Sequence, residues 1–128
     1  MADFRAVDAR LWKILDPYRD RLESGPVYGV GMLRRPGGGA HDWFAGTRVG
    51  KNYVSYYLMP VYGRPQLLTG ISPELRRRKQ GKSCFNFSAI DEPLMAELEA
   101  LTARSFDAFM SPAYLRAVGS RNSQLATR

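Results

Sequence analysis

The chain holds one cysteine and one histidine in 128 residues. A single cysteine excludes an internal disulfide and suits a reducing compartment, so a cytoplasmic location is expected. One histidine with one cysteine also excludes the usual His/Cys zinc cages, and no metal or other cofactor is expected. No apolar run approaches the ~20 residues of a membrane-spanning helix. Met1-Ala-Asp-Phe-Arg leads into charged residues rather than an apolar signal segment. No membrane partner is expected. Acids are scarce too: 12 Asp and Glu face 19 Lys and Arg, for a net charge of +7. What remains is an ordinary globular composition, 45% apolar, in a length that suits one domain with its own core.

The charge has a location. Residues 1–25 carry five basic and five acidic side chains and sum to zero. Residues 26–82 carry ten basic side chains against Asp42 and Glu74, a net +8, and residues 83–128 sum to −1. Residues 28–87 also contain nine of the fifteen aromatic residues.

Periodicity supplies the elements. Phe4, Val7, Leu11, Ile14, Leu15, Tyr18 and Leu22 recur at helical spacing, with Asp3 as N-cap and a break at Asp16-Pro17. Gly25-Pro26 ends that segment, and residues 27–33 form a weak, glycine-bearing apolar stretch. Residues 36–39 read as a plain connector, since no Lys-Ser/Thr of a phosphate loop follows the glycines. Residues 43–49 and 52–59 flank Gly50-Lys51 as a hairpin with a two-residue type II′ turn. That turn pairs Val49 with Asn52, Thr47 with Val54, Ala45 with Tyr56 and Trp43 with Leu58 on the core face. The outer face pairs Arg48 with Tyr53 and Phe44 with Tyr57. Residues 66–69 suit another short strand. Ser72-Pro73-Glu74 starts a short helix over 73–79 that ends at Gly81. Residues 82–87 alternate as a strand, with Ser83, Phe85 and Phe87 on one side. Asp91 caps a last long helix that breaks at Ser111-Pro112, and residues 112–118 suit one further turn. This order predicts an α+β fold: an antiparallel sheet with a central hairpin, packed against N-terminal and C-terminal helices. Residues 1–118 form the single domain, and residues 119–128 are expected to be a mobile tail.

From Asp42 onward the chain resembles a known family. The relevant pieces are Asp42-Trp-Phe-Ala-Gly, Lys51-Asn-Tyr-Val-Ser-Tyr-Tyr-Leu-Met-Pro60, the Ser-Pro-Glu-Leu helix start, Gly81-Lys-Ser-Cys-Phe-Asn-Phe87 and Asp91-Glu before an amphipathic helix. Over residues 42–110 this order is similar to the YdhG-like domain, a widespread bacterial domain without an established general function. The resemblance implies a small α+β domain with an antiparallel sheet. Some relatives are described as frataxin-like iron chaperones, a role that requires an acidic helical surface. Here Arg5, Arg10, Lys13, Arg19 and Arg21 interleave with the acids of the first helix and cancel them, which disfavours iron.

Candidate chemistry is sparse. Cys84 reads as a small packed residue beside Phe85 and Phe87. Gly81-Lys-Ser lacks the upstream glycine of a phosphate loop, and His41 has no nucleophile elbow or second histidine to work with. No catalytic residue is assigned, and no enzyme is expected. The cations Arg48, Lys51, Arg64, Arg76, Arg77, Arg78, Lys79 and Lys82 form a candidate anion site. Phe44, Tyr53 and Tyr57 form a candidate aromatic surface beside it. The expected function is a binding or accessory domain for an anionic small molecule or a protein. The alternative is single-stranded nucleic acid held by the basic, aromatic segment 26–82, with cations for phosphates and rings for bases.

Overall fold

The computed structural model describes residues 4–27, 30–36 and 42–111. Asp3, His41, most of the glycine connector and everything from residue 112, including the expected further turn and tail, lie outside these residues.

Apolar residues at helical spacing fold α1 (Phe4–Leu15), which buries Val7, Leu11, Ile14 and Leu15. Pro17 cannot continue the α-ladder, and the chain tightens into a 3₁₀ turn over Asp16–Arg21. Among the described residues six strands follow: β1 (Glu23–Val27), β2 (Val30–Arg34), β3 (Trp43–Val49), β4 (Val54–Leu58), β5 (Lys79–Gln80) and β6 (Cys84–Phe87). Between β4 and β5 lie a single-turn α2 (Pro60–Gly63), a 3₁₀ turn (Pro65–Leu68) and α3 (Pro73–Arg78), and α4 (Glu92–Phe109) follows β6. The sheet order is β1-β2-β3-β4-β6-β5, with every neighbour antiparallel. The fold is α+β, with an antiparallel sheet flanked by helices.

Of the three expected caps, the two within the described residues form. Ser72 Oγ accepts from Leu75 N at 3.1 Å, and Asp91 Oδ1 accepts from Leu94 N at 3.3 Å. Other local expectations change for physical reasons. Residues 23–27 pair as β1 despite Gly25-Pro26, because β1 is the sheet edge, where a missing N–H costs no ladder bond. Residues 66–69 are not a strand: with Pro65 at the first position, Thr69 N donates to Gln66 O and closes a 3₁₀ turn. The short helix stops at Arg78, and Lys79 and Gln80 pair with β6. Gly81, at φ +71°, makes the turn of that small hairpin rather than ending the helix.

The central hairpin is corrected in register. A type II′ turn needs positive φ at its first central residue. Among the described glycines only Gly70 and Gly81 have positive φ, so Gly50 does not supply it. Instead, Gly50 N donates to Tyr53 O at 2.9 Å, and residues 50–53 make the connection. Val49 therefore pairs with Val54, Thr47 with Tyr56 and Ala45 with Leu58. The slip is two residues, an even number, so residues 45–49 and 54–58 keep their faces while changing partners.

The helices cover the face carrying Thr47 and Tyr56. Trp12 Nε1 on α1 donates to Thr47 Oγ1 at 2.6 Å, and Thr47 Oγ1 donates to Asp8 Oδ1 at 2.6 Å. This chain satisfies a buried hydroxyl and fixes α1 across β3. On α4, Thr102 and the fully buried Tyr56 hydroxyl share a 2.8 Å hydrogen bond. Arg10 on α1 clasps Glu92 at the start of α4 through two of its nitrogens, at 3.0 Å and 2.9 Å.

Tyr56 makes stability depend on alkaline pH. Burial holds its hydroxyl well above the ordinary tyrosine value of 10.0, and the Thr102 hydrogen bond offsets this only in part. The unfolded chain therefore releases this proton above pH 10 while the folded chain keeps it. Stability is intact below that pH and falls as pH rises past it. Half-buried Tyr18 shifts in the same direction, mainly through burial. Between pH 9 and pH 11, denaturant titrations should record a loss of about 1.4 kcal/mol from Tyr56 alone. Tyr56→Phe should remove that share, at a cost near neutrality of about 1 kcal/mol for the broken hydrogen bond. An unchanged alkaline limb in the variant would contradict the assignment.

Candidate functional site

β3, β4 and β6 turn their other side chains to the face without helices. Two cross-strand rows follow from the register. Arg48, Ser55 and Asn86 stand side by side, and next to them Gly46, Tyr57, Cys84 and Gln80. Together with Lys51, Asn52 and Tyr53 from the β3–β4 connection, all of these but Gly46 border a hollow of about 400 Å³. No carboxylate lines it.

Its floor is a directed hydrogen-bond chain. Ser55 Oγ donates to Asn86 Oδ1 at 2.7 Å, and Cys84 Sγ donates to the same oxygen at 3.3 Å. Asn86 Nδ2 donates to Gln80 Oε1 at 2.6 Å. Burial pushes the Cys84 thiol up from 9.0, only partly opposed by its contact with Ser55. It remains an S–H donor at neutral pH and is a poor nucleophile in that state.

The candidate cations separate into those that the fold already uses and those that it leaves open. Arg76 donates to Leu68 O, Arg77 pairs with Glu74, and Lys79 donates to Gly81 O. Lys82 lies 5.3 Å from the Tyr62 ring centre and, with Lys79, borders a separate small hollow. Arg78 borders a further one together with Arg77, Glu74 and Asp91, where the signs cancel. Arg64 contributes its backbone N–H to Pro60 O and joins none of these hollows. Two more cations of the basic segment are engaged: Arg34 lies 3.6 Å from Glu23, and Arg35 binds both Asp42 and the last carbonyl of α4, Phe109 O. Arg48 and Lys51 alone of the eight candidates border the large hollow, both are exposed, and neither has an ion-pair or hydrogen-bond partner among the described residues.

The aromatic candidates divide as well. Tyr53 and Tyr57 border the hollow. Phe44 does not belong to any surface: it is fully buried, with ring centres of Tyr18, Phe106 and Phe109 at 5.8, 5.4 and 5.3 Å. The cause is a β-bulge. Leu33 pairs with Ala45 and Arg34 with Trp43, so Phe44 is an extra residue in β3 and turns to the helix side beside Ala45.

Ser55, Gln80 and Asn86 were missed as site residues. The signal was present in the alternation: Asn86 lies between Phe85 and Phe87, and Ser55 between Val54 and Tyr56, so each must face away from the core. Among the described residues, no three His, Cys, Asp or Glu side chains come together as metal ligands, and no helix is long and apolar enough to cross a membrane. Comparison of the chain with protein-family models, with curated proteins and with solved structures finds no match in any of the three.

Proposed function

We propose that the chain is a cytoplasmic binding domain that takes an anionic ligand on the open face of its sheet. One observation carries the reading: Arg48 and Lys51 border one hollow, unpaired among the described residues, where no carboxylate lines the wall. Charge without an internal partner is available to a ligand, and hydrogen bonds to charged groups contribute more than neutral ones. The single cysteine supports the compartment. The YdhG-like resemblance of residues 42–110 supports the domain type and supplies no ligand. The presence of Tyr53 and Tyr57 beside the same cations favours a second reading, single-stranded nucleic acid, now confined to this hollow rather than spread over segment 26–82.

Titration with inorganic pyrophosphate, followed by amide NMR shifts, tests the first reading. Saturable changes are expected at residues 48–57 and 80–86. Arg48→Gln with Lys51→Gln should weaken binding by about tenfold or more. Higher salt should weaken it further. Shifts centred on Arg77 and Arg78, or no saturation at low salt, would refute the placement.

A further inference from the structure

The hydrogen-bond chain on the floor of the hollow has a direction, and the direction selects a ligand. An amide oxygen has two lone pairs and an amide nitrogen two N–H groups. Both lone pairs of Asn86 Oδ1 are taken, by the Ser55 hydroxyl and the Cys84 thiol. The thiol is a weak donor and a poorer acceptor, so it favours the oxygen of Asn86, and not the nitrogen, on its side. One Asn86 N–H is spent on Gln80 Oε1. What the two amides have left is one lone pair on Gln80 Oε1 against three N–H groups: the second of Asn86 and both of Gln80. With Arg48 and Lys51 on the same rim, the hollow is rich in donors and asks for a ligand rich in acceptors.

Its other features narrow the class. The volume of about 400 Å³ lies in the range of small-ligand pockets, about 300–1,000 Å³. Tyr53 and Tyr57 border the hollow, and aromatic rings favour a flat partner. A bare inorganic anion would use the cations and N–H donors and leave the tyrosine rings idle.

We propose that the hollow is a nucleotide subsite that prefers a base carrying carbonyl oxygens. The phosphate sits on Arg48 and Lys51, the base lies against a tyrosine ring, and its carbonyl oxygens accept from the amides of Asn86 and Gln80. Uracil offers two carbonyl oxygens. Cytosine replaces one with an amino group, which would set N–H against N–H. The proposal rests on the anion-binding reading and adds base recognition to it. The same chemistry is met in a free mononucleotide and in one unit of a single strand.

Calorimetry with the full chain separates these ideas, using uridine monophosphate, cytidine monophosphate, ribose phosphate and a short oligouridylate. Uridine monophosphate should bind about tenfold more tightly than cytidine monophosphate or ribose phosphate, the worth of one or two satisfied hydrogen bonds. It should also slow alkylation of Cys84 by iodoacetamide. Gln80→Met removes two donors at an exposed position without changing charge. It should abolish the preference for uridine and leave ribose phosphate binding unchanged. A per-site affinity for oligouridylate well above that of the mononucleotide, with a steep salt dependence, assigns the site to a strand; equal per-site affinities assign it to the free nucleotide. Equal binding of all three monophosphates would overturn base recognition and leave the anion reading standing. No binding of any of them would overturn both.

Discussion

Gly46→Ala is expected to destabilise the domain by about 3 kcal/mol or more. Gly46 sits in β3 opposite Met32 of β2 and Tyr57 of β4. A Cβ built there runs into the backbone carbonyl of Gly31 and into Met32 Sδ, both far inside contact distance. The Met32 end could move, but the Gly31 carbonyl belongs to the ladder and moves only if β2 separates from β3. Met32 is itself buried, so its displacement also exposes apolar surface. Domains of this size hold about 5–15 kcal/mol in all, and the melting midpoint should fall by about 10 °C or more. Gly63→Ala is the matched control: nothing lies within 4 Å of its Cβ and its φ is not positive. It should stay within about 0.5 kcal/mol. Equal midpoints for the two variants would disprove the close approach of β2 and β3.

Elements whose evidence is local were legible in the sequence. The caps at Ser72 and Asp91, the break at Asp16-Pro17 and the long C-terminal helix each depend on a few neighbouring residues, and each is present. What was not legible depends on partners distant in the chain. A turn type hangs on one φ angle, and Gly50 is free to take either sign, so composition alone misplaced the register. β1 needed knowledge that it would lie at an edge, which is a property of the whole sheet. The site divides in the same way. Arg48, Lys51, Tyr53 and Tyr57 were found from composition and alternation. Nothing local distinguishes them from Arg76, Arg77 or Lys82, because only the folded chain decides which cations meet Glu74, Leu68 O or a tyrosine ring first. Of the +8 segment, Arg48 and Lys51 are the two cations that border the large hollow without a partner among the described residues.

Phe44→Ala should cost about 3–5 kcal/mol, the range for deleting a buried aromatic side chain. Alternation along β3 predicts the opposite, since the outer face would tolerate this change within about 0.5 kcal/mol. The two expectations differ by more than the error of a urea titration, so the experiment decides whether the bulge exists. In the folded chain Phe44 meets Phe106 nearly edge to face, at an interplanar angle of 81°, and Tyr18 at 63°. Such pairs contribute about 0.5–1.5 kcal/mol beyond area burial. Phe44→Leu refills most of the volume while losing the ring contacts, and should fall between wild type and Phe44→Ala. The same variant separates the two faces of the sheet. Phe44 packs against Tyr18, Phe106 and Phe109 on the helix side, away from Arg48 and Lys51. Where Phe44→Leu remains folded, pyrophosphate binding should therefore equal that of the wild type. A large loss of stability with unchanged binding is the joint result that the bulge requires. A loss of binding at full stability would return Phe44 to the open face.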